Sequence, residues 1–126
     1  MQRDSRTYLW DALQASGEIR LFLEGKSWED YKESSMLRSA VERKFEIIGE
    51  ALGQLSKYDT KTAARIPDLA RIVAFRNLLI HGYAGIDDSL VWSVAIEKLD
   101  LLVDVLNELL EEMRTDPKKG QSLNNK

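Results

Sequence analysis

The sequence predicts an all-α protein. Apolar residues recur at three- and four-residue steps over long stretches, no segment sustains period-two alternation, and only two prolines, Pro67 and Pro117, interrupt the 126 residues. The first helix is expected from about Asp4 to Leu23, with Leu9, Ala12, Leu13, Ser16, Ile19 and Leu23 inward. Gly25 follows as its stop, because glycine adopts the left-handed conformation cheaply. Ser27 to Asp30 (S-W-E-D) resembles a capping box that opens a short helix. A long helix then spans about Ser35 to Lys57 on a stripe of Leu37, Ala40, Val41, Lys44 or Phe45, Ile48, Ala51, Leu52 and Leu55. Gly49 and Gly53, one turn apart in it, are poor helix formers, so a neighbouring helix or partner chain is expected to approach closely there.

Residues 58–66 read as a connection. Pro67 and Asp68 suit the first turn of a third long helix ending near His81, where a missing donor costs nothing and an aspartate favours the dipole. Gly82 and Gly85 break it. Asp87 or Asp88 caps a last helix running to about Met113, with Trp92, Ala95, Leu99, Leu102, Leu106 and Leu109 inward. Residues 1–113 therefore form one helical domain. Residues 114–126 form a basic tail with too little apolar surface to order itself, expected to be flexible.

Composition limits the function classes. Hydrophobic residues make up 44% and charged residues 31% of the chain, a soluble globular balance. A dimer interface would add to the core that so short a chain can bury. Cysteine is absent, which excludes disulfides and thiolate metal sites. No leader-like or membrane-spanning run is visible, so the expected location is cytoplasmic, with no membrane partner. The net charge is −3. Arg114, Lys118, Lys119 and Lys126 against Asp116 give the tail +3, leaving −6 on residues 1–113. Such a body argues against broad backbone-driven nucleic-acid binding, so any RNA contact must be local.

The segment Leu69 to Tyr83, L-A-R-I-V-A-F-R-N-L-L-I-H-G-Y, is apolar nearly all round, which predicts a buried central helix. Arg76, Asn77 and His81 stand out within it. With Arg76 at zero, Asn77 lies at about 100° and His81 at about 140° on the helical wheel. Arg76 occupies a position the core pattern would fill with an aliphatic side chain. A guanidinium there needs an anion or several acceptors: a ligand phosphate, or a glutamate such as Glu46 or Glu50. Asn77 can hold the His81 imidazole, contact a ligand or satisfy a nearby carbonyl. Tyr83, two residues beyond His81, is expected either near the polar cluster at the helix end or packed under a turn.

R-N-L-L-I-H-G-Y fits the R-x4-H-x-Y signature of HepT-like toxins of the HEPN superfamily. F-E-I-I-G-E-A-L upstream and Y-A-G-I-D-D-S-L-V-W downstream resemble other stretches of that family, and the likeness covers about residues 4–112. This resemblance implies an antiparallel four- to five-helix bundle that forms a homodimer, with two R-x4-H motifs facing across a two-fold cleft. It implies a ribonuclease toxin acting on RNA and neutralised by a minimal nucleotidyltransferase antitoxin (MntA-like), which attaches AMP to the tyrosine of the signature. Carried over, Arg76 and His81 are the catalytic pair, Asn77 and Glu50 support them, and Tyr83 is the AMPylation site.

The residue types suit metal-independent RNA cleavage. Histidine titrates near neutrality and moves protons, and the arginine fork binds phosphate oxygens bidentately. With the substrate's 2′-hydroxyl as nucleophile, the products are a 2′,3′-cyclic phosphate and a 5′-hydroxyl. No cofactor is expected. No metal is expected either, since there is one histidine, position 78 is Leu where a di-iron Glu-x-x-His pattern needs Glu, and the Glu42, Glu46, Glu50 row has the spacing of a solvated or ion-paired face. The rival reading is a non-catalytic module that binds a nucleotide or a nucleotidyltransferase through Arg76. A third is a plain structural helical dimer.

Overall fold

A computed structural model describes residues 4–82 and 85–115. Its elements are α1 (Ser5–Leu23), α2 (Trp28–Glu33), α3 (Ser35–Tyr58), α4 (Thr60–Ala63), α5 (Leu69–His81), α6 (Asp88–Glu97) and α7 (Leu99–Thr115). The described residues form an all-α bundle, as the periodicity predicts.

Local chemistry sets most boundaries. The Asp4 side chain caps α1, and Gly25 at φ 74 takes the left-handed position just beyond it. Ser27 and Asp30 complete a reciprocal capping box at α2. Asp87 caps α6 by accepting from the backbone N–H groups of Ser89 and Leu90. Four expectations need correction. The 58–66 connection contains the short α4, capped by Asp59. Pro67 and Asp68 precede α5 rather than opening it. Asp68 is its N-cap at φ 60, a left-handed conformation aspartate tolerates better than most residues, and its side chain makes no capping bond. The last helix is two helices, because the chain turns at Lys98 between α6 and α7, and α7 continues past Met113 to Thr115. The fourth concerns the burial of α5, below. Residues 116–126, most of the expected tail, lie outside the described residues.

The core lies between α1, α3 and α7. Leu9 and Ile19 of α1, Ile48, Leu52 and Leu55 of α3, and Leu106 and Met113 of α7 are all buried. Glu18 pairs with Lys44 at 2.9 Å, and the Ser5 hydroxyl donates to Asp59 at 2.7 Å, so α1 and α3 run antiparallel. Arg20 and Asp100 join the end of α1 to the start of α7. Trp28, Tyr31 and Trp92 stack α2 on α6, with ring centroids 5.5–6.3 Å apart. Burial pushes the Tyr31 phenol up.

α5 packs chiefly on α3, where Phe45 and Phe75 meet edge to face at 5.2 Å. The expectation of a buried central helix is not met in the single chain. Only Leu79 of α5 is buried, and Ala70, Arg71, Ala74, Asn77, Leu78 and His81 are exposed. The helix is apolar all round because one side rests on α3, while the opposite side has no covering element among the described residues.

Leu52→Ala removes a side chain with no exposure and is expected to cost about 2–5 kcal/mol, against less than about 0.5 kcal/mol for Leu21→Ala at 66% exposure. Urea denaturation of the two variants checks the contrast.

Candidate functional site

The seam between α3 and α5 is set by two adjacent residues of α3. A Cβ at Gly49 would overlap the Arg76 Cβ and stand 2.7 Å from its Cγ. Glycine at this position therefore lets Arg76 cross α3 at backbone level, which is the close approach the sequence predicts. Gly53, one turn on, meets only the Val73 methyls at 3.8–4.0 Å, an ordinary contact. The neighbour of Gly49, Glu50, receives the guanidinium: Arg76 Nη2 donates to Glu50 Oε1 at 2.6 Å. Of the two glutamates the sequence offers, Glu50 is the partner, while Glu46 pairs with Arg43 at 3.2 Å.

Arg76 Nη1 donates to the Asn77 side-chain oxygen at 2.9 Å, and its Nε is buried with no hydrogen-bond partner among the described residues. Asn77 thus serves the arginine rather than the imidazole or a backbone carbonyl. The guanidinium is held on two sides yet not sealed, since 29% of the Arg76 side chain and 57% of Glu50 remain accessible. An exposed pair of this kind contributes little stability and can be exchanged for another anion.

Arg76 opens on a groove of about 430 Å³ between α1, α3 and α5, with Arg43, Glu46, Glu50 and Ile80 among its lining residues. His81 is the last residue of α5 and is exposed, with no side-chain hydrogen bond or ion pair among the described residues. Five residues of helix put it about 140° around the axis and about 7.5 Å along it from Arg76. One chain therefore brings Arg76, Asn77 and Glu50 together but directs His81 toward the uncovered face. Gly82 ends α5 with its N–H on the Leu78 carbonyl, and a Cβ there would stand 2.7 Å from that oxygen. Tyr83 lies outside the described residues. Among the described residues no group of three or more His, Cys, Asp or Glu is placed to hold a metal ion, and no helix is long and apolar enough to cross a membrane.

The family model described as Ribonuclease HepT-like matches residues 12–112. The chain belongs to the HepT-like family. A Methanocaldococcus jannaschii protein whose name assigns it provisionally as an RNase is 32% identical over 96 residues, covering 76% of this chain and 87% of that one. A second protein of that organism, named a gamma-glutamylcyclotransferase and provisional RNase, is 30% identical over 124 residues. The match covers 98% of this chain and 54% of that relative, so the chain spans about half its length. A Thermococcus cleftensis protein named "Probable ribonuclease HepT" is 32% identical over 104 residues, covering 81% of this chain and 92% of the relative. No solved structure matches the chain. In this HepT-like chain the signature residues Arg76 and His81 both lie on α5, on different faces of one helix.

The two glycines of α3 give opposite expectations. Gly49→Ala forces α5 away from α3 and is expected to destabilise by about 1–3 kcal/mol through overpacking. Gly53→Ala, with room for its methyl, is expected to stabilise by up to about 1 kcal/mol through helix propensity. Chemical denaturation distinguishes the two signs.

Proposed function

We propose that this HepT-like protein is a metal-independent endoribonuclease, the toxin of a toxin–antitoxin pair, acting as a homodimer through Arg76 and His81. The observation that carries the reading is the accessible, two-sided hold on Arg76 at the α3–α5 seam, with His81 on the uncovered side of the same helix. Family membership and the names of the relatives support the ribonuclease assignment.

A second copy packed along Ala70, Ala74, Leu78 and His81 of α5 accounts for both the exposed face and the divergence of the pair. Two small alanines permit a close helix approach, and a two-fold axis beside His81 supplies the second imidazole that one chain lacks. In the reaction, the 2′-oxygen attacks phosphorus as one imidazole takes its proton. The bond from phosphorus to the 5′-oxygen breaks, and an imidazolium protonates the leaving oxygen. Arg76 exchanges Glu50 for a phosphate oxygen and stabilises the charge that builds there, with Glu50 and Asn77 as positioning residues. Attachment of AMP to Tyr83 by a minimal nucleotidyltransferase antitoxin would place bulk and negative charge two residues from His81 and block the phosphate site.

His81→Ala is expected to abolish cleavage of RNA while leaving the helical circular dichroism and melting transition in place. Wild-type protein should leave 2′,3′-cyclic phosphate ends. The protein must be free of AMP, verified by mass. Wild-type rates in the His81→Ala variant overturn the assignment, and binding of RNA without turnover by wild type returns the non-catalytic reading. Co-expression with the nucleotidyltransferase is expected to add the mass of AMP to a peptide containing Tyr83, and an unshifted peptide counts against the modification.

A further inference from the structure

The groove beside Arg76 holds a second arginine. Along α3, Arg43, Ile47, Glu50 and Gln54 recur at three- and four-residue steps and line one wall. Arg43 stands seven residues before Glu50, about 10 Å along the helix axis. Because the Arg76 guanidinium rests on the Glu50 carboxylate, the Arg43 side chain starts about that far along α3 from it and can reach toward the neighbouring phosphate of one strand.

The Arg43 side chain is 68% exposed, and its one ion pair among the described residues, to Glu46 at 3.2 Å, is an i,i+3 contact on the same helix. Such a solvent-screened contact is weak, so its exchange for phosphate is easy. The rest of the groove disfavours phosphate. Asp11, Glu46 and Glu50 carry negative charge, and Ile47 and Ile80 present apolar walls suited to a base rather than to an anion. In a domain of net charge −6, Arg43 and Arg76 are the cationic side chains among the described residues of the groove.

We infer that Arg43 is a substrate-binding residue that holds the phosphate next to the one at Arg76, so that single-stranded RNA runs along α3 and its length is read in steps of one phosphate. This rests on the ribonuclease reading above. It goes beyond that reading by giving the strand a direction across the protein and by requiring a substrate with at least two phosphates for full affinity. The carboxylates between the two arginines keep other phosphates out of the groove and fix the register.

The test compares a tetranucleotide with a dinucleoside monophosphate as substrates for AMP-free wild type, Arg43→Ala and Arg43→Lys. In wild type the tetranucleotide is expected to be favoured in kcat/KM. Arg43→Ala is expected to reduce that preference about tenfold, mainly through KM, the size of one charge-assisted contact. Arg43→Lys should restore most of it, because a point charge suffices for a flanking phosphate. The slope of log affinity against log salt for the tetranucleotide should fall by about 0.7 in Arg43→Ala, the loss of one phosphate contact on a single strand. An unchanged preference and salt slope in Arg43→Ala, or an equal loss on both substrates, overturns the inference while leaving the ribonuclease assignment intact. Cleavage of total RNA but of neither short substrate overturns the inference alone, whereas failure of wild type to cleave total RNA overturns the assignment itself.

Discussion

The absence of a side chain at Gly49 is the constraint on which the rest of the site depends. It allows the α5 backbone to settle against α3 with Arg76 at the crossing, and it makes the next residue, Glu50, the carboxylate within reach. A cation at a helix–helix crossing would ordinarily carry a heavy desolvation cost. Here the stem is packed and the guanidinium emerges at the edge of a groove. The same contact thus fixes the helix geometry and leaves the charged group available.

The two signature residues are divided by helix geometry. Arg76 belongs to the α3 side of α5 and is held by the chain's own residues. His81 belongs to the far side, next to Leu78, which is 46% exposed. A helix cannot point residues i and i+5 at one small target, so an arrangement that uses both must draw on a second surface. The acidic character of the domain disfavours nucleic-acid contact spread over a broad face, so the proposed RNA binding would have to rest on a few gripped phosphates.

What the sequence shows of this fold is largely what neighbouring residues decide among themselves. Asp87, Gly25 and the Ser27–Asp30 box set helix ends through bonds spanning at most a few residues, and each is legible. The turn at Lys98 is not, because Ala95, Leu99 and Leu102 keep their inward spacing straight across it. Asp68 reads as a first-turn residue because its charge suits that place, whereas its left-handed backbone follows from how the chain leaves α4. The partner of Arg76 is legible only to within a turn: Glu46 and Glu50 are equivalent by pattern, and the seam at Gly49 decides between them. The burial of α5 is misread for a different reason. An apolar pattern marks a face that can be covered, and does not say by which chain.

The dependence of α5 on a single neighbouring helix has a dynamic consequence. An element with one buried side chain has a low free energy of local opening compared with α1, α3 and α7, which share the main core. Rigidity of the signature helix is then conferred by whatever lies against its outer face, so the ordering of α5 rises and falls with occupancy of that face. Where a second copy covers that face, as proposed, the position of His81 becomes a property of the pair, and dilution would then act on the shape of the site as well as on the number of pairs present.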